Sequence, residues 1–387
     1  MKITNQVAAI IADVKARGDK AVEYYTFKFD NVIIKSKNFK VSAERINKAC
    51  KNINPEVKEA IDKAAGNVEL FHKFEFKMLP KTWTVKQKGV KLGQVYSPIE
   101  KIGIYIPGGM FPYFSTVLMS AIPARVAGVK RIIMTTPPKN ITDEMLYAAS
   151  ICGIKDVFAI GGPQAVSAMA LGTKTVPKVD LICGPGNIYV NEAKRQLFGE
   201  VGIDSLAGPS EVVILADNSA RPAYIIFDLL AQAEHDSYAK AYLFTDSSGL
   251  LKKVKSSLPK HSIQSIKLIK TSMSKAIGQI NAIAPEHLEI AVKNPDAVIK
   301  KIKNAGAIFA GCYTPTAVGD YWAGPSHVLP TGGSAKFSSG LSVLTFLKRT
   351  SYINYSKEKI QKDAKFITRL AEAEGLVNHS SSVLVRR

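Results

Sequence analysis

An α/β protein built on mostly parallel sheets is predicted by three features of this 387-residue chain. Short apolar, β-branched runs alternate with segments of helical periodicity. Most of those runs are followed by Gly, Pro or both, as strands leading into turns require. The composition, 46% hydrophobic and 22% charged with no low-complexity tract, is enough for more than one packed core.

The amino end holds a short apolar run at 7–12, ended by Asp13. That is neither a membrane span nor a signal peptide, so residues 1–20 are expected to form an amphipathic helical segment. Runs at 102–106, 131–135, 157–160 and 181–183 read as buried strands, with helices at 117–126, 144–152 and 165–171 between them. A turn, Gly184-Pro-Gly-Asn187, then leads to a helix starting near Val190. Beyond Pro209 strands resume at 211–216, 241–245, 265–269 and 307–309, and no exact repeat relates the two series. The pattern suggests two Rossmann-like domains: a discontinuous one, 21–104 with 212–341, and one inserted at 105–211, leaving 342–387 as a tail.

Lys and Arg number 52 against 32 Asp and Glu, a formal net charge of +20, which ordinarily raises nucleic acid or an anionic membrane as partners. The basic residues are scattered, with modest clusters such as Lys252-Lys-Val-Lys255 and Lys300-Lys-Ile-Lys303, and no stripe interleaved with aromatics. The charge is therefore read as solvated surface, and neither nucleic acid nor membrane is expected as a partner. The four cysteines lack metal or disulfide spacing and suit buried free thiols in a reducing cytoplasm. Cys183 and Cys312 lie close to predicted site loops without a nearby base in sequence.

Chemistry concentrates around four of the six histidines, His235, His287, His327 and His379, whereas His72 and His261 lie among lysines and read as surface residues. A helix over 228–241 would put Gln232 and His235 on one face at i, i+3, able to share an ion; an ordinary, partly exposed helix reads the same way. In Ala284-Pro-Glu-His-Leu-Glu289, Glu286 and His287 suit an acid/base couple near neutral pH, or else Pro285 opens a helix that Glu286 stabilises. Asp320 and His327 fall in a Gly- and Pro-rich stretch, 318–331, read as an ordered loop. Gly375 reads as a helix stop, with His379 just beyond it.

Taken together, these runs resemble the histidinol dehydrogenase family over nearly the whole length. They are joined by Arg17-Gly-Asp-Lys-Ala-Val-Glu-Tyr-Tyr-Thr26, Gly103-Ile-Tyr-Ile-Pro-Gly-Gly109, Ser115-Thr-Val-Leu-Met119, Gly161-Gly-Pro-Gln164, Gly184-Pro-Gly-Asn187 and Ala207-Gly-Pro-Ser-Glu211, in the family's order. The resemblance implies one zinc ion per subunit held by Gln232, His235, Asp320 and His379, and proton transfer by Glu286 and His287. It further implies contacts of Ser210, His327 and Glu374 with substrate and of Tyr105, Gln164 and Asn187 with NAD. The family oxidises L-histidinol through an aldehyde to L-histidine with two NAD, the last steps of histidine biosynthesis. An intertwined homodimer whose carboxyl-terminal tails complete a shared active site is also implied.

The NAD reading rests on the resemblance, because Gly184-Pro-Gly-Asn-Ile-Tyr carries only two glycines of the dinucleotide fingerprint, with Tyr189 in the place of the third. Departures from the family pattern are an amino end that looks shorter, Ser326 where Asn is commoner, and Thr316 where an acidic residue often follows Tyr-Thr-Pro. Two competing readings are a paralogue acting on another small polar alcohol, such as a sulfonated diol, and a basic nucleic-acid-binding protein. Glu374 weighs against the first, since a carboxylate suits an imidazole N–H and repels an anion.

Overall fold

The computed structural model describes residues 2–108, 112–235, 239–259 and 265–387, without the side chain of His235. Gly109 and His261, named above, fall outside the described residues. So do positions 236–238 of the helix expected over 228–241.

Val7, Ile10 and Val14 recur at helical spacing, and in α1 (Lys2–Arg17) they form the buried face. There follow α2 (Asp19–Asp30), α3 (Ala43–Asn52), capped by Ser42 accepting from the Arg45 N–H, and α4 (Pro55–Met78). His72 corrects its reading as a surface residue: it is 1% exposed, on the face of α4 that buries Ile61, Ala64 and Val68. Its Nδ1 lies 2.7 Å from Glu75 Oε2. Helical spacing, not its lysine neighbours, decides where it points.

A hairpin of β1 (Trp83–Gln87) and β2 (Val90–Pro98) precedes the first parallel sheet. That sheet is laid down as β3 (Lys101–Tyr105), α5 (Phe114–Ala127), β4 (Arg131–Thr136), α6 (Asp143–Ile151), β5 (Asp156–Ala159), α7 (Gly162–Leu171), β6 (Leu181–Cys183), α8 (Ile188–Leu197) and β7 (Gly202–Ile203). The second follows as β8 (Glu211–Ala216), α9 (Pro222–His235), β9 (Lys240–Thr245), α10 (Ser248–Ser257), β10 (Ile266–Lys270), α11 (Met273–Ile283), β11 (His287–Ala291), α12 (Pro295–Ile299) and β12 (Ala307–Ala310), with α13 (Thr316–Tyr321) beyond it. The chain ends in β13 (Leu347–Tyr355), α14 (Lys357–Ala373) and α15 (Val377–Leu384).

The parallel sheets have strand orders β5-β4-β3-β6-β7 and β10-β9-β8-β11-β12. Each series therefore runs third, second, first, fourth, fifth, the order of a doubly wound, Rossmann-like sheet. The two halves share a topology without sharing a repeat. In β8 every residue is buried, and the strand's two-residue period sorts them. Val212, Ile214 and Ala216 pack with Leu229, Ala241 and Leu243, while Val213 and Leu215 pack with Phe244, Ile280, Leu288 and Ile290. Each such aliphatic side chain contributes roughly 1.5–3 kcal/mol on burial.

The chain divides into two compact units, Met1–Phe76 with Ile99–Phe346, and Lys77–Pro98 with Leu347–Arg387. The first holds both parallel sheets. The second holds the antiparallel sheet β1-β2-β13, α14 and α15, and exposes Trp83, Val85, Leu92 and Ile353. Among the described residues no helix is long and apolar enough to cross a membrane.

Three expectations about local structure are corrected. The helix carrying Gln232 and His235 starts at Pro222, where a missing N–H costs nothing, and Lys240 is already paired with Glu211 in β9. The run after Pro285 is no helix start: Ala284, at φ 54°, ends α11, and His287 enters β11 because its apolar residues fill the sheet between β8 and β12. Asp320 stands on α13, not in a loop.

The thiols are also not uniformly buried. Cys152 and Cys183 are buried, Cys50 is half-buried and Cys312 is exposed. Burial pushes the Cys152 thiol up to about 12 and that of Cys183 well above the ordinary range. With a thiol reagent at neutral pH, Cys312 should react first and Cys152 and Cys183 at least about 100-fold more slowly until the protein unfolds. Mass mapping of the labelled peptides checks this, and equal labelling of all four would contradict the packing.

Candidate active site

At the amino-terminal edge of the second sheet, His287 is registered opposite Val212, so Glu286 stands beside Glu211. The Glu211 N–H donates to Glu286 Oε2 at 3.0 Å. Glu286 and His287 are 6% and 5% exposed. His287 Nδ1 lies 3.6 Å from Glu286 Oε2, and its Nε2 lies 3.7 Å from Asp320 Oδ1. Those are ion-pair separations, too long for hydrogen bonds, and both ring nitrogens are buried without a hydrogen-bond partner. Burial pushes Glu286 up to about 7 against the opposing pull of His287 and the Glu211 N–H. Burial also disfavours the His287 imidazolium, but the Asp320 and Glu286 carboxylates outweigh it and raise its pKa. A buried acid raised to about 7 and a buried imidazole raised by its carboxylate neighbours thus sit together, the arrangement proton transfer needs.

Asp320 is placed by its helix. The Thr316 N–H at the start of α13 donates to Glu289 Oε1 at 3.0 Å. Glu289, two residues beyond His287, is 4% exposed, and burial followed by the Asp228 carboxyl pushes it up to about 9. Its hydrogen bond with Asp228 links α9 to β11 and, through Thr316, to α13. His327 Nδ1 lies 2.8 Å from the Asp320 carbonyl oxygen and Nε2 lies 3.1 Å from Thr116 Oγ1. A carbonyl only accepts, so Nδ1 carries a proton, and in the neutral imidazole Nε2 accepts from the threonine.

Gln232, on α9, is 2% exposed, and its amide Nε2 has no partner. The side chain of His235, at the end of the same helix, lies outside the described residues. Ser210 stands at the same sheet edge as Glu286, its carbonyl accepting from the Lys240 N–H at 3.0 Å. Glu374 and His379 belong to the second unit, exposed, with Glu374 at the end of α14 before Gly375 (φ 76°) and His379 on α15. Contacts thus join Glu286, His287, Asp320 and His327. Among the described residues no three His, Cys, Asp or Glu side chains converge on a metal position. The donors still fit zinc in kind. A buried amide with open hydrogen-bonding capacity shares α9 with His235, and Asp320 faces the buried imidazole.

A second constellation lies at the carboxyl ends of the first sheet, where strand order reverses between β3 and β6. Tyr105, Gly108, Pro137, Gly162, Gln164 and Asn187 help line a cavity of about 610 Å³ there, with α1 and α2 supplying other walls. Such switch points form ligand crevices in open α/β sheets, and the volume suits a cofactor. The Gly162 N–H, on a residue at φ 65°, donates to the Tyr105 hydroxyl at 3.1 Å. Burial pushes that hydroxyl up to about 12, so it stays protonated. Gln164 is fully buried with both amide atoms unpartnered, and Asn187 caps α8 by accepting from the Tyr189 and Val190 N–H groups. The crevice offers uncommitted polar capacity, the chemistry that a polar cofactor would need.

Sequence reasoning did not single out Thr116, Glu211, Asp228 or Glu289. Thr116, Glu211 and Glu289 lay inside quoted runs and Asp228 opened the expected helix, but the contacts of Asp228 and Glu289 exist only once α9, β11 and α13 meet.

Residues 1–387 match the family model described as histidinol dehydrogenase. Histidinol dehydrogenase 2 of a Nostoc species is 47% identical, over 97% of this chain and 90% of its own. Histidinol dehydrogenase of Thermosynechococcus vestitus is 44% identical, over 98% and 92%. The crystal structure of histidinol dehydrogenase from Elizabethkingia anophelis superposes with a TM-score of 0.90 at 40% identity, covering 99% of this chain and 91% of that one.

Proposed function

This chain belongs to the histidinol dehydrogenase family, and from that premise we propose that it oxidises L-histidinol through L-histidinal to L-histidine with two NAD per turnover. The observation that carries the reading is the buried Glu286–His287–Asp320 cluster. In the first oxidation His287 takes the proton of the substrate hydroxyl as the carbinol carbon loses hydride. Glu286 then takes a proton from the water that hydrates the aldehyde, and His287 takes the proton of the hydrate in the second oxidation. NAD, when bound, accepts two electrons and one hydrogen at each step; Tyr105, Gln164 and Asn187 would hold it. Zinc, when bound to Gln232, His235, Asp320 and His379, would anchor the substrate's imidazole and amine. Ser210, His327 and Glu374 complete the substrate contacts, Glu374 accepting from the imidazole N–H.

In this reading 105–211 is the inserted cofactor-binding domain, 21–104 with 212–341 carries the metal and catalytic residues, and 1–20 is a helical segment. Residues 342–387 form a tail that brings Glu374 and His379 to the site of a second chain in an intertwined cytoplasmic homodimer. Purified, zinc-loaded protein should form close to two NADH per histidinol, lose activity to a strong chelator and regain it with zinc. No reaction with histidinol, but turnover of a sulfonated diol, would transfer the site to another alcohol. Full activity in metal-free protein would remove zinc from the reaction.

A further inference from the structure

Lys194 is fully buried, an uncommon place for a lysine, and it lies on α8 just beyond the cofactor crevice. Its Nζ donates to Asp204 Oδ1 at 2.5 Å and to the Gly184 carbonyl at 3.0 Å. Asp204 Oδ2 in turn accepts from the Gly184 N–H at 2.8 Å. One ion pair therefore grips both polar groups of a single residue. One turn earlier on the same face, Asn191 Nδ2 donates to the carbonyls of Gly186 and Asn187 at 2.7 and 3.1 Å.

Gly184 is the first residue after β6, at φ 105°, and a Cβ there would come within 2.2 Å of the Tyr105 carbonyl oxygen. No side chain fits, so the turn packs directly on the end of β3. The orientation of the Gly184 peptides thus sets the distance from Tyr105 to Asn187 across the strand reversal. Burying a charge pair gives little stability over apolar residues of similar volume. A positional task accounts for its presence better than stability does.

We propose that Lys194, Asp204 and Asn191 are positioning residues that hold the 184–187 turn in its cofactor-accepting geometry, and so set NAD affinity without touching NAD. This rests on the reading of the 610 Å³ cavity as the NAD site. The single change Lys194→Met strands a buried carboxylate and is expected to unfold the protein. The informative variant is Lys194→Met with Asp204→Asn, which removes both charges and leaves the Gly184 carbonyl without its donor.

NADH titration by fluorescence and steady-state kinetics on the full-length zinc-loaded enzyme test it. The double variant should weaken NADH binding and raise KM for NAD by roughly 10- to 100-fold, with KM for histidinol and the melting temperature little changed. Asn191→Ala, which introduces no buried charge, should raise the NADH Kd severalfold and covers the case where the double variant does not fold. Gln164→Ala is the control for the cavity. If Gln164→Ala weakens NADH binding while the double variant and Asn191→Ala bind as wild type, the proposal is overturned. Parallel loss of NADH and histidinol affinity with a low melting temperature would also overturn it, as a merely structural role. If Gln164→Ala has no effect either, the cavity is not the NAD site and the proposal falls with that reading.

Discussion

Replacing His287 by Asn should slow both oxidations by on the order of 10²- to 10⁴-fold, the usual loss when a positioned base is removed. Asn preserves much of the side chain's shape and polarity at a buried position but cannot accept the proton. Glu286→Gln should divide the reaction: supplied histidinal should be oxidised far more slowly, and the alcohol step much less so, because only the aldehyde must first be hydrated. Wild-type aldehyde oxidation should rise with pH through about 7, the value to which burial pushes Glu286, since only the ionised carboxylate takes a proton from water. That limb should vanish in Glu286→Gln. The folded protein holds the Glu286 proton to a higher pH than the unfolded chain, so this group's contribution to stability falls as pH rises from the ordinary carboxylate range to about 7. Stopped-flow measurement of each half-reaction decides the assignment. Equal, small effects of both substitutions on both steps would leave the pair a structural feature of the sheet edge.

How far the sequence reaches is visible residue by residue. The strands Glu211–Ala216 and Leu181–Cys183 were legible because a strand covered on both faces is an unbroken apolar run. β13 was not, since it is largely exposed and carries no apolar alternation. Glu286 and His287 stood out as chemistry, yet their Pro-Glu-His context suits a helix start, and only pairing with β8 and β12 makes the segment a strand. The links that aim the side chains leave no local trace. Thr116 meets His327 across 211 positions, and Lys194 meets Asp204 ten residues on, after the chain has turned back through β7. Tertiary packing makes those neighbours, while composition and periodicity only make them available.

Mixing His287→Asn with His379→Asn should restore activity that neither variant has alone, if the tail of one chain completes the site of the other. Each homodimer is inactive for its own reason, one through lost proton transfer and one through a broken metal shell. In a mixed dimer, the site on the His379→Asn chain keeps its own His287 and borrows an intact His379, whereas the opposite site carries both defects. Random pairing makes about half the dimers mixed, each with one working site, so roughly a quarter of wild-type activity should return once exchange is complete. The second unit places His379 on an exposed helix, and its neighbouring sheet exposes Trp83, Val85, Leu92 and Ile353, a surface suited to burial against another chain. Co-expression with two different tags and purification on both isolates the mixed dimer for assay. A stable mixed dimer without activity would mean that each chain supplies its own His379, because every site in it would then carry a defect.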